Sequence, residues 1–337
     1  MADLPSIGSV DDFRALLSAL PGADQTASDA AAAREPMLTK PAGSLGRLEE
    51  ISRWLASWQG RHPPRMDRPA ACVFAGNHGV AARGVSAFPS EVTRQMVVNF
   101  ERGGAAINQL CKAFGMELSV ECLDLDVPTR DFTRAPAMDE SEFVAALTAG
   151  MRAVKPEYDV LCLGEMGIAN TTCAAAIGLA LFGGDAAAWA GPGTGVSGEA
   201  LALKARVVAA GVARNRALMT DGVEVLRCVG GRELAAIAGA VVAARLLRVP
   251  VLLDGFICTA AAATLGKPAL DHCLVAHASA EPGHRMLVSQ IGKQPLLDLG
   301  LRLGEASGAA LAVGILKASV ACHVGMATFA EAGVAEG

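Results

Sequence analysis

Glycines, amides, hydroxyls and carboxylates gather in four short clusters of this 337-residue chain, each placed after an apolar run. They are Gly76-Asn77-His78-Gly79, residues 164–172 (Gly164-Glu165-Met166-Gly167-Ile168-Ala169-Asn170-Thr171-Thr172), Gly191-Pro192-Gly193-Thr194-Gly195, and Asp254-Gly255-Phe256. One such cluster is weak; four in succession describe a site, because open parallel sheets bind ligands at the carboxyl ends of their strands. In the second, Asn170 or Thr171 can cap the apolar helix that starts there, leaving backbone N–H groups free for an anion. Gly193 and Gly195 can bring a second set of amides to the same phosphate, and Lys204 offers a mobile positive charge. A plain strand–helix turn is the competing reading of 191–195.

Two carboxylates are candidates for proton transfer. Glu165 lies between glycines after a buried strand, where a solvated loop acid is the ordinary alternative. Glu305 sits in Arg302-Leu303-Gly304-Glu305-Ala306-Ser307-Gly308, read as a small-residue turn between two apolar helices, where a capping or solvent-exposed glutamate is the alternative. Held among apolar neighbours, either carboxyl gains a raised pKa suited to taking a proton. His272, His277 and His284 do not match the helical spacing of a zinc site, and a metal reading would have to draw on His78, His277 and Asp254. Ser86 lacks the strand–elbow–helix pattern of a serine nucleophile.

Positioning these residues requires alternating strands and helices. Strands are expected near 70–75, 117–125, 159–163, 186–190, 249–253 and 273–276. Helices are expected near 90–114, 141–153, 171–181, 198–219 and 232–247, the alternation of βαβ units and a parallel sheet. An amphipathic helix carrying Leu45, Leu48, Ile51 and Leu55 on one face should follow the turn at 40–44. Helices alone are expected from about 282 onward. The division expected is a small helical domain from 1–62 and 307–337 beside a large α/β domain over 63–306.

Composition narrows the function classes. A net charge of −5 and the lack of a Lys/Arg-rich stripe exclude a nucleic-acid groove. Nine cysteines are scattered singly, without a CxxC pair, as small buried hydrophobes of a reducing compartment. The start, Met1-Ala2-Asp3-Leu4-Pro5, has no leader pattern, and the apolar stretches 171–184 and 234–244 are too short to span a bilayer. A cytoplasmic protein with no membrane contact is expected.

Several ordered blocks resemble the nicotinate-nucleotide–dimethylbenzimidazole phosphoribosyltransferase family. They include residues 40–49 (KPAGSLGRLE), 84–89 (GVSAFP), 91–96 (EVTRQM), 103–108 (GGAAIN) and 277–283 (HASAEPG), together with the second, third and fourth clusters and 302–308. The resemblance covers the chain from about residue 40 to its end. It implies a Rossmann-like parallel sheet with a small helical domain built from both termini, a homodimer, and no cofactor or metal. The implied substrates are nicotinate mononucleotide and a benzimidazole base, giving α-ribazole 5′-phosphate and nicotinate with inversion.

Residue by residue, the resemblance makes Glu305 the general base and Leu303 part of the benzimidazole pocket. Ser86, Phe88 and Gln95 fall in the segment contacting the base. Glu165, Gly167, Asn170 and Thr171 fall near the ribose and phosphate, and Gly193, Gly195 and Lys204 are further phosphate contacts. Asn77 departs from the pattern, standing where aspartate is expected. Two other classes stay open on the residues: a metal-dependent hydrolase using His78, His277 and Asp254, and a non-catalytic nucleotide-binding regulator using the same phosphate loops.

Overall fold

The computed structural model describes residues 4–335; the first three residues of the start read for a leader, and 336–337, lie outside them. The amino-terminal helices are α1 (Val10–Ser18), α2 (Gln25–Arg34) and α3 (Arg47–Gln59). Strand β1 (Pro69–Ala75) leads to α4 (Glu91–Glu101), α5 (Ala106–Phe114), β2 (Glu117–Cys122), α6 (Glu140–Arg152) and β3 (Val160–Met166). Then come α7 (Asn170–Phe182), α8 (Ala186–Trp189), α9 (Gly198–Asn215), α10 (Gly222–Val229) and α11 (Arg232–Leu246). Strand β4 (Val251–Leu253), α12 (Phe256–Ala263), β5 (Cys273–Val275), α13 (Pro282–Ile291), α14 (Ser307–Gly325) and α15 (Phe329–Ala332) complete the order.

All pairings are parallel, in the order β2-β1-β3-β4-β5. A parallel sheet is covered on both faces, and the period of two sorts its residues accordingly. Ala70, Cys72 and Phe74 of β1 share one core with Leu161, Leu163, Val251 and Leu253, beneath α6, α7, α11 and α12. Ala71 and Val73 share the other with Val160, Cys162 and Leu252, beneath α3, α5 and α14. The chain leaves β1 toward β2 on one side and reaches β3 on the other. This strand order therefore opens a crevice beyond the carboxyl ends of β1 and β3.

Five of the six expected strands are present. The segment at 186–190 is instead helix α8. Asp185 caps it by accepting from Ala187 N–H at 3.0 Å, and a run of alanines favours helix over strand. Trp189 then packs on Gly178 and Phe182 and donates its indole N–H to Gly183 O. The single helix expected over 90–114 breaks into α4 and α5 at Gly103, which adopts φ 75°. Helix α3 forms as expected, with Ile51 and Leu55 buried and Leu45 and Leu48 half-buried at its start.

Both chain ends contribute to one helical layer. Ser319 donates to Leu48 O, Arg34 donates to His323 O, and Leu38 bridges Thr328. Helix α14, which has 19 residues and a mean hydropathy of 1.5, is long and apolar enough to cross a bilayer. Its Ala309, Ala312, Val313 and Leu316 are spent on the second core of the sheet. On the opposite face α6 and α11 cross so closely that a Cβ at Gly150 would collide with Ala236 O, and one at Gly239 with Leu147 O.

Candidate active site

The β1–β3 crevice collects the sequence-selected residues into one connected network. Glu165 is the penultimate residue of β3 and is buried, so it is not a solvated loop acid. Its Oε2 accepts from the Asn170 amide. Burial raises its carboxyl well above the usual range, and Asp254, Glu233 and Glu305 add to the effect against the Asn170 hydrogen bond.

Glu305 comes beside it from the far end of the chain. A Cβ at Gly304 would sit 2.5 Å from Glu165 Oε1. Only 5% exposed, Glu305 is neither a helix cap nor a surface acid. It leads into α14 from a non-helical segment that begins after Gly292, not from a second helix. Glu305 and Ala306 both adopt φ 61°, a left-handed conformation that non-glycine residues take at a cost on the order of 1–3 kcal/mol each. Burial, then the charge of Asp254, pushes the Glu305 carboxyl up to about 7, a strength suited to a base at neutral pH.

Asn170 and Arg302 link the carboxylates to a cradle of amides and one cation. Helix α7 begins at Ala169, itself left-handed at φ 76°, and has no side-chain cap. Neither Asn170 nor Thr171 caps it: the first holds Glu165, and Thr171 Oγ1 accepts from Lys204 Nζ at 2.7 Å. An uncapped helix start keeps its N–H groups and positive dipole end available to an anion. Lys204 is not mobile; it is 1% exposed and donates also to Gly191 O at 2.8 Å. Burial lowers its ammonium to about 8, with Glu281 pulling the other way. The 191–195 loop follows helix α8, not a strand. Gly193, at φ 52°, leaves no room for a Cβ between Thr171 and Lys204, while Gly195 is exposed.

Two hydrogen bonds tie the remaining segments to this loop. Ser86 Oγ and Thr194 Oγ1 are 2.9 Å apart, and Arg302 Nη1 donates to Gly193 O at 3.1 Å. These bring Ser86 and the 302–305 turn to the rim, where Phe88 is 52% and Leu303 57% exposed. Gln95 stands on α4 and lines a cavity of about 650 Å³ with Asn77, Arg94 and Leu125. Thr93, on the same helix, accepts from Ile168 N–H in the loop that carries Gly167.

Asn77 accounts for its own departure. Its amide donates to Leu125 O at 2.9 Å while its backbone carbonyl accepts from Thr129, so it joins the turn after β1 to the segment after β2. An aspartate carboxylate cannot donate that bond.

The three-residue metal reading does not survive the geometry. His78 Nε2 is 2.6 Å from Glu233 Oε1 and its Nδ1 is 3.3 Å from Cys173. His277 lies instead 3.7 Å from Asp254. Among the described residues no three His, Cys, Asp or Glu side chains gather to hold a metal ion. Sequence reasoning passed over two acids: Glu233, beneath the Gly76 and Gly167 turns, and Glu281, which accepts from Gly193 N–H at 2.9 Å. The Gly230-Gly231 pair before Glu233 was the available signal, since a Cβ at Gly231 would collide with His78.

The chain is similar to known proteins over nearly all of its length. A phosphoribosyltransferase family model matches residues 20–334. A nicotinate-nucleotide–dimethylbenzimidazole phosphoribosyltransferase of Ruegeria pomeroyi is 60% identical, over 99% of this chain and 100% of its own. The enzyme of the same name from Roseobacter denitrificans is 58% identical, over 98% of this chain and 99% of its own. The crystal structure of CobT from Thermus thermophilus superposes with a TM-score of 0.86 at 42% identity, covering 93% of this chain and all of that one.

Proposed function

The chain belongs to the nicotinate-nucleotide–dimethylbenzimidazole phosphoribosyltransferase family, and from that premise we propose how its crevice does the chemistry. The protein transfers the phosphoribosyl group of nicotinate mononucleotide to 5,6-dimethylbenzimidazole, a step of cobalamin biosynthesis. Nicotinate in the donor is already a pyridinium on the anomeric carbon and leaves without protonation. The protein's work is therefore positioning and electrostatics.

The observation that carries the assignment of roles is the joining of two features in one network. A buried carboxyl of near-neutral strength, Glu305, lies on the turn that Arg302 ties to Gly193, and Gly193 belongs to the amide cradle with Lys204. The cradle, with Gly167, Asn170, Thr171, Gly193 and Gly195, anchors the donor phosphate and ribose. Ser86, Phe88, Gln95 and Leu303 bound the acceptor base. Glu305 takes the benzimidazole N–H proton while the other ring nitrogen attacks the anomeric carbon. The carbon–nitrogen bond to nicotinate breaks with its electron pair going to the pyridine nitrogen, and the anomeric centre inverts. Positive charge developing on the ribose favours the ionised form of Glu165, which in turn steadies it.

The exposed apolar Phe88, Leu303 and Leu299 beside the crevice support a homodimer that covers this rim. Unpaired cysteines throughout the described chain suit the reducing cytoplasm. The low-charge surface and the packing of α14 in the core fit a protein engaging neither nucleic acid nor membrane.

The deciding experiment incubates the purified protein with nicotinate mononucleotide and dimethylbenzimidazole in excess chelator and follows products by chromatography with mass detection. Nicotinate released together with α-ribazole phosphate is the expected result. Donor hydrolysis without transfer would remove the acceptor assignment, and donor binding without turnover would favour the regulator.

A further inference from the structure

Asp254, at the carboxyl end of β4, is fully buried and does not line the crevice, yet it underlies the turn on which Glu305 is displayed. Helix α14 starts at Ala306, a residue with no side-chain oxygen to cap it. Asp254 supplies the missing acceptor: Ala309 N–H donates to its Oδ1 at 2.8 Å, and the Gly308 and Ala306 amides are turned toward the same carboxylate. A carboxylate set against a helix start is held by both hydrogen bonding and the dipole.

The turn above has little freedom to move elsewhere. A Cβ at Gly164 would collide with Ala306, and one at Gly308 with the ring of His277. The consecutive left-handed residues Glu305 and Ala306 are an unfavourable conformation that persists only when its surroundings impose it. Asp254 Oδ2 and both His277 ring nitrogens have no hydrogen-bond partner among the described residues, so polar groups are held here beyond what packing alone calls for.

We propose that Asp254 is a positioning residue for the transfer reaction, fastening the left-handed turn that presents Glu305 to the acceptor. The inference rests on the reading of Glu305 as the base. The titratable and charged groups on the elements around Glu305 are Asp254 after β4, Cys162 and Glu165 on β3, Glu233 on α11, Cys258 on α12, His277 after β5 and Arg302 on its own segment. Of these, Asp254 acts on the Glu305 carboxyl most directly, and its charge joins burial in raising it. Asp254 thus bears on the base twice, through the turn and through the field.

The test compares Asp254→Asn, which keeps an oxygen for the Ala309 N–H but removes the charge, with Asp254→Ala, which removes both. Wild type and E305Q are assayed beside them from about pH 5 to 9. Asp254→Asn is expected to move the acid limb of the kcat profile to lower pH and to lower kcat several-fold. Asp254→Ala is expected to lose about 10²-fold in kcat, the scale of a roughly 1 Å misplacement. Donor KM should stay within about two-fold in both, a split that general loss of structure would not produce. Adding Ala306→Gly, which removes the left-handed penalty, should restore part of the kcat of Asp254→Ala and keeps the test open if the single variant folds poorly. An unmoved acid limb and wild-type kcat in Asp254→Asn, with E305Q inactive, overturn this inference alone. Near-normal turnover in E305Q overturns the base assignment and this inference with it.

Discussion

The crossing of α6 and α11 and the crevice at the carboxyl ends of β1 and β3 both withdraw side chains from water, yet they are built on opposite principles. At the crossing, glycines let two helices touch backbone to backbone around Leu147, Ile237 and Val241, and close packing offsets their low helix propensity. At the crevice and directly beneath it, Glu165, Glu305 and Asp254 are three acids withdrawn from water. Three of the non-glycine residues there, Ala169, Glu305 and Ala306, stand in left-handed conformations. The crossing stabilises the molecule and does no chemistry. The crevice, to which the proposed chemistry is assigned, carries strain that the rest of the molecule must offset.

The contrast is tested most severely by Glu305→Gln. Turnover should fall by about 10²–10⁴-fold, the scale for a general base, while thermal stability holds or rises because a buried charge has been removed. Steady-state kinetics beside thermal melting would check both halves, and a loss of stability in parallel with activity would break the contrast. In the wild type, kcat should fall as pH drops through about 7, where Glu305 takes up its proton.

Lys204→Ala is next in expected effect. Losing a charged donor to the phosphate should raise donor KM by about 10–100-fold with a smaller change in kcat. With its ammonium lowered to about 8, Lys204 is charged below that pH and loses its charge above it. Donor kcat/KM in the wild type should therefore decline as pH rises past about 8, and a profile flat to about pH 9 would remove Lys204 from the phosphate site.

Gly239→Ala probes the other region. The added Cβ would force α6 from α11, destabilising by about 1–3 kcal/mol or more, read as a lower denaturant midpoint. Specific activity per folded molecule should be unchanged. Activity loss beyond the unfolded fraction would mean the two regions are coupled.

The smallest effect expected is from Asn77→Asp, which sets a carboxylate against Leu125 O in place of a donor. A cost of about 1–3 kcal/mol follows, developing as rising pH ionises the carboxyl and constant above that range, and a calorimetric melt at an acidic and a neutral pH would measure it. Equal melting of the two forms at neutral pH would show that the turn does not depend on that hydrogen bond.

Much of both regions was legible beforehand, for identifiable reasons. Buried parallel strands appear as short apolar runs, so β1, β3, β4 and β5 were found within a few residues. The run at 186–190 misled because its apolar alanines suit either state, and Asp185 together with Trp189 packing chose the helix. Residue type marked Glu165, Glu305 and Lys204, but burial, which sequence does not display, made each different from its ordinary alternative. Lys204 was read as mobile because long cations usually are. Two buried acceptors, Thr171 Oγ1 and Gly191 O, hold it still. The sequence marks Asp254 as a member of the fourth cluster and as a metal candidate but not as a helix cap, since the helix start it caps lies more than fifty residues away in the chain.

By itself the sequence determined the class of fold, the family, the clusters that would face the ligand and the chemistry their residue types allow. Periodicity, turn residues and ordered blocks are local properties written along the chain. Tertiary structure alone decided which carboxylates are buried with raised pKa values, which lysine is fixed, and which acid meets the helix start after Glu305. Those properties depend on solvent exclusion and on partners brought from distant segments, and neither exists until the chain has folded.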